Sequence, residues 1–475
     1  MYKKIILCYM ALMSGFFSVC PAVHGANETN NKSAKIINLS LVPAPEPTPA
    51  LSYRLLPRYI DQKTGNAALH YYAAASLYPD GNLKDLDEKF RKWRDMPVDE
   101  LNHKQIEDVL VLFSSCFHQI KLATQRNDCS WEMPIDDGYS MQLPPLNSFR
   151  NIIYALQLQT RLKIADDQID QALELMREGL YTGRCIAKGP TIVQSLVGLS
   201  LDALMLKEVE ELAQKPGSPN LYWALTSLPR PLIDMQSSIQ YEREVIFLEF
   251  PQLRNIENEK LTPEQALEII TYIINKMRSL SNDEIYDKPL MEVLPAGWVM
   301  MYYLDSKKYL AEKGFSQERI ESMPAVQAVL IYQKQQYMKF ADNMYKWLEI
   351  PYNKSQPFIM EVEEKFSNFS NQGIKSNLFS NLLPALFRIA FLQARIERNV
   401  EMLRTIEAIR MFAANHSSQL PEKLSDISSV MIPSDPVTGK EFIYQRTDLR
   451  NARLEAPATP QEEQDRPVYI LTIKQ

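Results

Sequence analysis

The sequence predicts a mainly α-helical protein, built as a helical-hairpin bundle or an irregular solenoid, with a small β-meander at its C-terminal end. Glycine is scarce, at 14 of 475 residues, whereas residues that favour helices are plentiful. Apolar residues recur at helical spacing through most of the chain. Between residues 441 and 473, β-branched and aromatic residues instead concentrate in short runs, which is typical of strands.

Residues 1–25 have the three parts of a signal peptide. Lys3 and Lys4 provide the positive start that stays on the cytoplasmic side of a membrane. The apolar stretch of residues 5–19 is shorter than the ~20 residues of a membrane-spanning helix, and a small-residue cleavage site ends at Gly25. We therefore expect an exported protein of the periplasm or cell envelope, or a secreted one, with no stable membrane span after cleavage.

Two other fates of this segment stay open. An apolar stretch that is not cleaved would act as a signal anchor. Cys20 directly follows the apolar run, where a lipoprotein carries its acylated cysteine. Lipoprotein sites resemble one another in having a small residue before that cysteine, and here the residue is Val19. The pattern therefore favours cleavage after Gly25.

Three further segments follow the signal. Residues 26–62 are predicted to be a proline-rich extended linker, because every second residue from Pro43 to Pro49 is proline and such a run favours polyproline II. Residues 63–385 are predicted to be the α-helical body. Residues 386–475 are predicted to be a long helix that leads into the small β-meander.

The helical body contains one clear αα-hairpin. Residues 152–162 and 169–180 each carry an apolar stripe at helical spacing. Asp166 and Asp167 lie between the stripes and favour a turn and a helix cap. The hairpin resembles a tetratricopeptide unit, so the body is expected to be tetratricopeptide-like in part. No second copy follows at the 34-residue period of that repeat.

Charge and motif content argue against several function classes. The chain has 52 basic and 58 acidic residues, a formal net charge of −6. This balance provides no basic field for phosphates, so no nucleic-acid partner is predicted. The sequence has no Cys-x-x-Cys pair, no two histidines at i and i+4, and no phosphate-binding loop. We therefore predict no cofactor.

Three cysteines lie beyond the signal and would meet an oxidising compartment on export: Cys116, Cys129 and Cys185. A bridge between Cys116 and Cys129 would close a short loop, but Cys185 is also an allowed partner. Free buried thiols are the other interpretation, because unpaired cysteine is commonly buried as a small apolar residue. All three cysteines are therefore disulfide candidates.

Asp202 and Glu242 are the candidate catalytic residues. Asp202 interrupts an apolar helix, where burial would raise the pKa of its carboxyl group. Glu242 would supply the second carboxylate of an acid/base hydrolysis. A structural interpretation accompanies each of them: Asp202 belongs to a polar stripe of a half-exposed helix, and Glu242 to a solvated run of charges.

The tail resembles a known family. Residues 413–421, which end in Leu-Pro, and residues 433–444, which contain Asp-Pro-x-x-Gly-x-x-Phe-x-Tyr, resemble the C-terminal globular part of type II secretion pseudopilins. In that family these patterns end a helix and open the final strands. The resemblance covers about the last 75 residues. The family's N-terminal prepilin segment is absent here, so the chain is not itself expected to be a pseudopilin.

The pseudopilin resemblance implies a weak calcium candidate. The corresponding loop holds calcium in some pseudopilins, where oxygen ligands from a turn surround the ion. Asp426 and Asp435 would be the ligands here. The alternative is a Pro-Gly turn that Asp435 caps.

A second resemblance covers more of the chain. Residues 50–57, 219–225 and 228–232, together with the Asp-Pro-x-x-Gly tail, resemble a set of uncharacterised exported helical proteins of bacteria. This resemblance implies export and a helical architecture. It implies no activity.

The sequence leads to one preferred function and two alternatives. The preferred function is a noncatalytic exported scaffold or protein-interaction protein of the bacterial cell envelope, which binds an envelope protein of unknown identity. One alternative is a carboxylate-dependent envelope hydrolase on an all-α fold, with Asp202 and Glu242 as its pair. The other is an accessory protein of a type II-like secretion system, which rests on the tail alone.

Overall fold

The structure is a computed structural model, and it describes residues 35–79, 83–280, 294–370, 377–382, 386–459 and 466–474. The predicted signal peptide of residues 1–25 and the start of the predicted linker lie outside the described residues. The expectations on cleavage, membrane anchoring and lipid attachment concern those same residues.

The described chain is mainly helical, as the sequence predicts. Its α-helices are α1 (Ala67–Ser76), α2 (Leu83–Asp95), α3 (His103–Leu110), α4 (Ser114–Thr124), α5 (Leu146–Ala165), α6 (Ile169–Ala187), α7 (Ile192–Ala213), α8 (Tyr222–Thr226), α9 (Gln236–Glu249), α10 (Pro263–Leu280), α11 (Leu294–Glu312), α12 (Gln317–Ser322), α13 (Ala325–Tyr345), α14 (Tyr352–Ser370) and α15 (Leu386–Asn415). Short 3-10 turns connect several of them.

The strands form two small sheets. The strands are β1 (Lys35–Leu41), β2 (Lys63–Asn66), β3 (Arg126–Asp128), β4 (Ile443–Arg446), β5 (Asn451–Glu455) and β6 (Pro467–Ile473). The larger sheet has the order β1-β6-β5-β4, and β2 pairs with β3 in the smaller one. β4, β5 and β6 are antiparallel neighbours in succession, which confirms the predicted C-terminal β-meander.

The first strand corrects the predicted linker. Residues 35–41 are not a spacer, because β1 pairs in parallel with β6 along its whole length, from Lys35 opposite Pro467 to Leu41 opposite Ile473. Leu39 and Leu41 alternate with polar residues and are buried, as period-two spacing requires of a strand with one buried face. This part of the predicted linker is therefore a component of the folded protein.

The chain forms two compact units, and their boundaries differ from the predicted ones. Unit 1 contains residues 133–142 and the described part of 238–390. Unit 2 contains the described residues of 35–132, 143–237 and 391–474. The predicted body of residues 63–385 is therefore not one domain, because its residues are shared between the two units. From residue 391 onward, the described tail belongs to the same unit as α1 to α8.

The core of unit 2 is the three-helix group α5, α6 and α7. The hairpin of α5 and α6 is present as predicted, and its turn contains Asp167 in the left-handed region, at φ 58°. α6 and α7 cross at glycines: a Cβ at Gly198 would overlap the carbonyl oxygen of Gly183 and lie 2.7 Å from the Cβ of Ala187. Glycine is thus required for the close approach of the two backbones.

A row of alternating charges runs along α15 within unit 2. Every third residue is ionisable and the sign alternates, in the order Arg398, Glu401, Arg404, Glu407 and Arg410. Residues three apart are neighbours on a helix, so opposite charges at this spacing attract. Glu401 pairs with Arg404, and Glu407 pairs with Arg410 at 2.8 Å.

The end of this charge row fixes two loops of unit 2. Arg410 donates from Nε to the carbonyl oxygen of Val42 at 2.8 Å and from Nη2 to Oγ of Ser218 at 2.7 Å. Glu407 accepts a hydrogen bond from the backbone N–H of Leu221. Buried charges persist only when they are paired and hydrogen-bonded, and these two satisfy both conditions.

Within the described ranges, no helix combines the length and the apolar character that a membrane crossing requires.

Candidate functional site

Asp202 lies in the interior of unit 2. It is on α7, it is 0 % exposed, and neither of its carboxyl oxygens has a hydrogen-bond partner among the described residues. Its Oδ1 occupies the space that a Cβ at Gly183 of α6 would need, so the absence of a side chain there leaves room for the carboxyl group. The predicted half-exposed polar stripe is therefore wrong for this residue.

Burial decides the ionisation of Asp202. Loss of hydration raises the pKa of the carboxyl group well above its usual value, while Arg184 opposes this and Glu397 adds to it. The structure therefore favours the neutral acid. A carboxyl group that no solvent reaches cannot contact a substrate, so we do not retain Asp202 as a catalytic residue.

Glu242 belongs to unit 1 and is also buried, at 2 % exposure on α9. It lies among buried tyrosines, and its charge adds to burial in raising the phenol pKa of Tyr337 and of Tyr345. The predicted solvated charge run is therefore wrong at this position. The hydrolase alternative needs two carboxylates that are open to substrate, and neither Asp202 nor Glu242 is open in its own unit.

Asp435 is committed to an internal ion pair. Arg398 donates to it through two hydrogen bonds, and Asp435 also accepts from the backbone N–H of Val437 at 3.0 Å and from Thr438. This is the turn cap that the sequence allows, with a guanidinium in the place of a metal ion. Asp426 instead accepts from the backbone N–H of Lys423.

These partners argue against a calcium site at Asp426 and Asp435. The described residues also include no group of three or more Asp, Glu, His or Cys side chains in a position to hold a metal ion. We therefore do not propose calcium binding.

The three cysteines are free and buried in the structure. The bridge between Cys116 and Cys129 is absent, because Cys116 donates to the carbonyl oxygens of Ala74 and Leu77 instead. Burial raises the pKa of the Cys116 thiol to about 11. Cys129 donates to the carbonyl oxygen of Cys185, 3.6 Å away.

A cleft of about 1040 Å³ lies in unit 1. It lies between α9 and α13 and reaches α14. Phe340 contributes an apolar surface to it, and Ile239 and Tyr345 line it as well. A cleft of this volume is large enough for a short peptide segment or a small ligand.

The distribution of apolar and polar residues around α13 explains why one wall of the cleft is polar. One face of α13 is buried, with Ala328, Ile331 and Tyr337 among its apolar residues. Residues at spacings of three and four on another face remain open, including Lys339 and Asn343, and Lys346 follows in the next turn. The amphipathic helix therefore presents its polar face to the cleft.

Positive charges outnumber negative ones in this lining. The charged side chains are four cations, Arg243, Lys339, Lys346 and Lys365, and two anions, Asp342 and Glu349. Arg243 pairs with Asp342 at 2.8 Å, and both are about half exposed. Lys339 and Lys346 are exposed and have no ion-pair partner among the described residues. Lys346 also places its Nζ 5.0 Å from the centroid of the Trp347 ring. The cleft therefore offers two ammonium groups that have no ion pair among the described residues.

Sequence reasoning missed this cleft. It singled out Glu242 and interpreted the charges around it as a solvated run. The available signal was the recurrence of lysine and polar residues on the open face of one helix, a pattern that solvated helices share. Only the packing of α9 beside α13 in unit 1 shows that the two sets of charges face one cleft.

No family model, no curated protein and no solved structure matches the chain at a significant level. The function is therefore argued from the residues themselves.

Proposed function

We propose that the protein is a noncatalytic, exported interaction protein of the bacterial cell envelope, and that the cleft of unit 1 binds an acidic segment of a partner protein. The observation that carries this proposal is the excess of positive charge in the cleft of a chain whose formal net charge is −6. Charge complementarity of this kind selects acidic partners and accelerates their association.

The lining supports binding rather than catalysis. Lysine and arginine on a cleft rim attract anionic groups, and Phe340 adds an apolar contact surface. The candidate catalytic carboxylates lie elsewhere and are buried.

Binding is tested with a fluorescently labelled oligoglutamate peptide as the probe, by anisotropy at low and at physiological salt. We expect binding that weakens with salt and that weakens about tenfold or more in Lys339→Glu/Lys346→Glu. Lys308→Glu is the matched control, because Lys308 is an exposed lysine of unit 1 outside the cleft lining. Equal loss in the control, or equal affinity of the wild type for an oligolysine peptide, would contradict the proposal.

Export is tested separately. The N-terminal pattern of residues 1–25 supports it. Expression of the full chain with a C-terminal tag in a bacterial host, followed by fractionation and N-terminal sequencing, should yield an envelope protein that begins at Ala26. Recovery of the intact chain in the cytoplasm would contradict export.

The tail supports a second candidate, an accessory role in a type II-like secretion system. α15 leads into β4, β5 and β6 as successive antiparallel neighbours, the element order that the pseudopilin resemblance implies. Met431 is 83 % exposed in this tail, and Met300 is 81 % exposed in unit 1. Co-purification with the secretion machinery that is lost in Met431→Asp but kept in Met300→Asp would favour this role. Equal behaviour of the two variants would count against it.

A further inference from the structure

Two of the buried cysteines contact each other in unit 2. Cys129 directly follows β3, and Cys185 is near the end of α6, 56 positions further along the chain. The Cys129 thiol lies 3.6 Å from the carbonyl oxygen of Cys185. This separation places the Cys129 sulfur beside the residue whose thiol it would join in a disulfide, and rotation of the two side chains about χ1 changes the distance between the sulfurs.

Neighbouring aromatic residues hold this pair in place. Trp131 donates from Nε1 to the carbonyl oxygen of Cys185 at 2.8 Å, so the loop that carries Cys129 is tied to α6. Tyr71 stacks on Trp131 with ring centroids 6.1 Å apart. Cys129 and Cys185 are 4 % and 1 % exposed. The two cysteines are therefore neighbours in a packed core.

We propose that Cys129 and Cys185 form a disulfide when the protein folds under oxidising conditions, and that Cys116 stays a free thiol. Cys116 donates hydrogen bonds to two carbonyl oxygens in and just after α1, those of Ala74 and Leu77, and is a free cysteine in the structure. The proposal goes beyond the binding function and does not depend on it.

The chemistry is thiol–disulfide exchange with a small disulfide such as oxidised glutathione. The Cys185 thiolate attacks the glutathione disulfide, which forms a mixed disulfide and releases one glutathione thiolate. Cys129 loses its proton and attacks the Cys185 sulfur, which releases the second glutathione. Two protein S–H bonds and one glutathione S–S bond are thus replaced by one protein S–S bond and two glutathione thiols.

The environment favours Cys185 as the attacking sulfur. Burial is the largest influence on the Cys185 thiol and disfavours its ionisation, but interactions with Cys129, Tyr71, Lys188 and Tyr181 together outweigh burial and lower its pKa. Interaction with Cys185, together with burial, raises the pKa of the Cys129 thiol. Because both sulfurs are enclosed once folding is complete, exchange takes place late in folding, when the two cysteines are already neighbours but glutathione still reaches them.

The bond is tested by refolding the full chain in buffer that contains oxidised and reduced glutathione, blocking free thiols with iodoacetamide and mapping tryptic peptides without reduction. Each of the three cysteines beyond the predicted signal falls in its own tryptic peptide, at residues 105–121, 127–150 and 185–188, whereas Cys8 and Cys20 share peptide 5–32. We expect peptide 127–150 linked to peptide 185–188, with peptide 105–121 alkylated. Alkylation of all three peptides, or a linkage that includes peptide 105–121, would overturn the proposal.

Stability provides a second readout. The cross-link closes a loop of 56 residues, which should raise the Tm of the oxidised wild type by roughly 5 to 10 °C over the reduced protein. Cys116→Ser is the matched control and should keep the shift. Cys129→Ser and Cys185→Ser should each lose it. The same Tm with and without reductant in the wild type would contradict the proposal even if a serine variant failed to fold.

Discussion

Arg398 holds Asp435 through two nearly parallel hydrogen bonds, 2.8 Å from Nε to Oδ1 and 2.9 Å from Nη2 to Oδ2, with both side chains buried. The pair joins α15 to the turn that precedes β4. Asp435→Ala should therefore leave a buried guanidinium without its counter-charge and lower the free energy of unfolding of unit 2 by about 3 to 5 kcal/mol.

Urea unfolding followed by circular dichroism measures this change. Glu174→Ala is the control, because it removes one partner of the solvent-exposed pair between Lys121 and Glu174 and should change stability little. Equal effects of the two substitutions would mean that Asp435 and Arg398 are not buried together.

The close approach of α6 and α7 should make the protein sensitive to a single added methyl group at Gly198. Gly198→Ala would place a Cβ against the carbonyl oxygen of Gly183, so the helices must separate, at a cost of about 1 to 3 kcal/mol. Gly297→Ala on α11 meets no atom within 4 Å and should stabilise the helix by about 0.5 to 1 kcal/mol. Thermal unfolding should therefore give shifts of opposite sign for two identical substitutions.

Buried acids predict a loss of stability with rising pH. Burial raises the pKa of Glu178 to about 8, with a further contribution from Glu174. The folded-state pKa of Glu178 lies above the unfolded value of 4.5. The contribution of this carboxyl group to the free energy of unfolding is therefore fully present below pH 4.5 and is lost as the pH rises through 8. The slope for this group is at most about 1.4 kcal/mol per pH unit.

Glu178→Gln should flatten the dependence of unfolding free energy on pH between 5 and 8. Glu208, whose pKa burial raises to about 7, and Asp202 contribute in the same direction, so part of the slope should persist. Glu107→Gln, at an exposed position on α3, should leave the slope as it is. A slope that Glu178→Gln does not change would show that this carboxyl group is hydrated in the folded protein.

Two substitutions in β1 should lower the free energy of unfolding by unequal amounts, because one side chain is buried and the other is exposed. Leu41→Ala should cost about 2 to 5 kcal/mol, because this side chain is fully buried beside β6. Ile36→Ala, at a side chain that is 56 % exposed, should cost much less. If residues 35–41 were a free spacer, neither substitution would alter urea unfolding.

The parts of the fold that the sequence predicts correctly are those whose interacting elements lie close together along the chain. The hairpin of α5 and α6 follows from apolar residues at helical spacing on both sides of Asp166 and Asp167, all within about 30 residues. The strands β4, β5 and β6 likewise follow one another along the chain. Each of these elements could be inferred because its partner is close in sequence.

The missed features depend on distant partners. β1 looks like the start of a polar, proline-rich arm because the strand that buries it, β6, is at the other end of the chain. Asp435 looks like a metal ligand until Arg398, 37 positions upstream, is placed beside it. Asp202 and Glu242 attract notice as carboxylates, but sequence does not show that packing closes both off from solvent.

The pairing of β1 with β6 also constrains the order of events in synthesis. The two strands are about 430 residues apart, so the larger sheet forms only after almost the whole described chain has been made. Until then β1 has no partner for its hydrogen bonds, and unit 2 lacks one side of its sheet. Under the export proposed above, this delay would keep unit 2 from completing its native sheet until the last strand has been made.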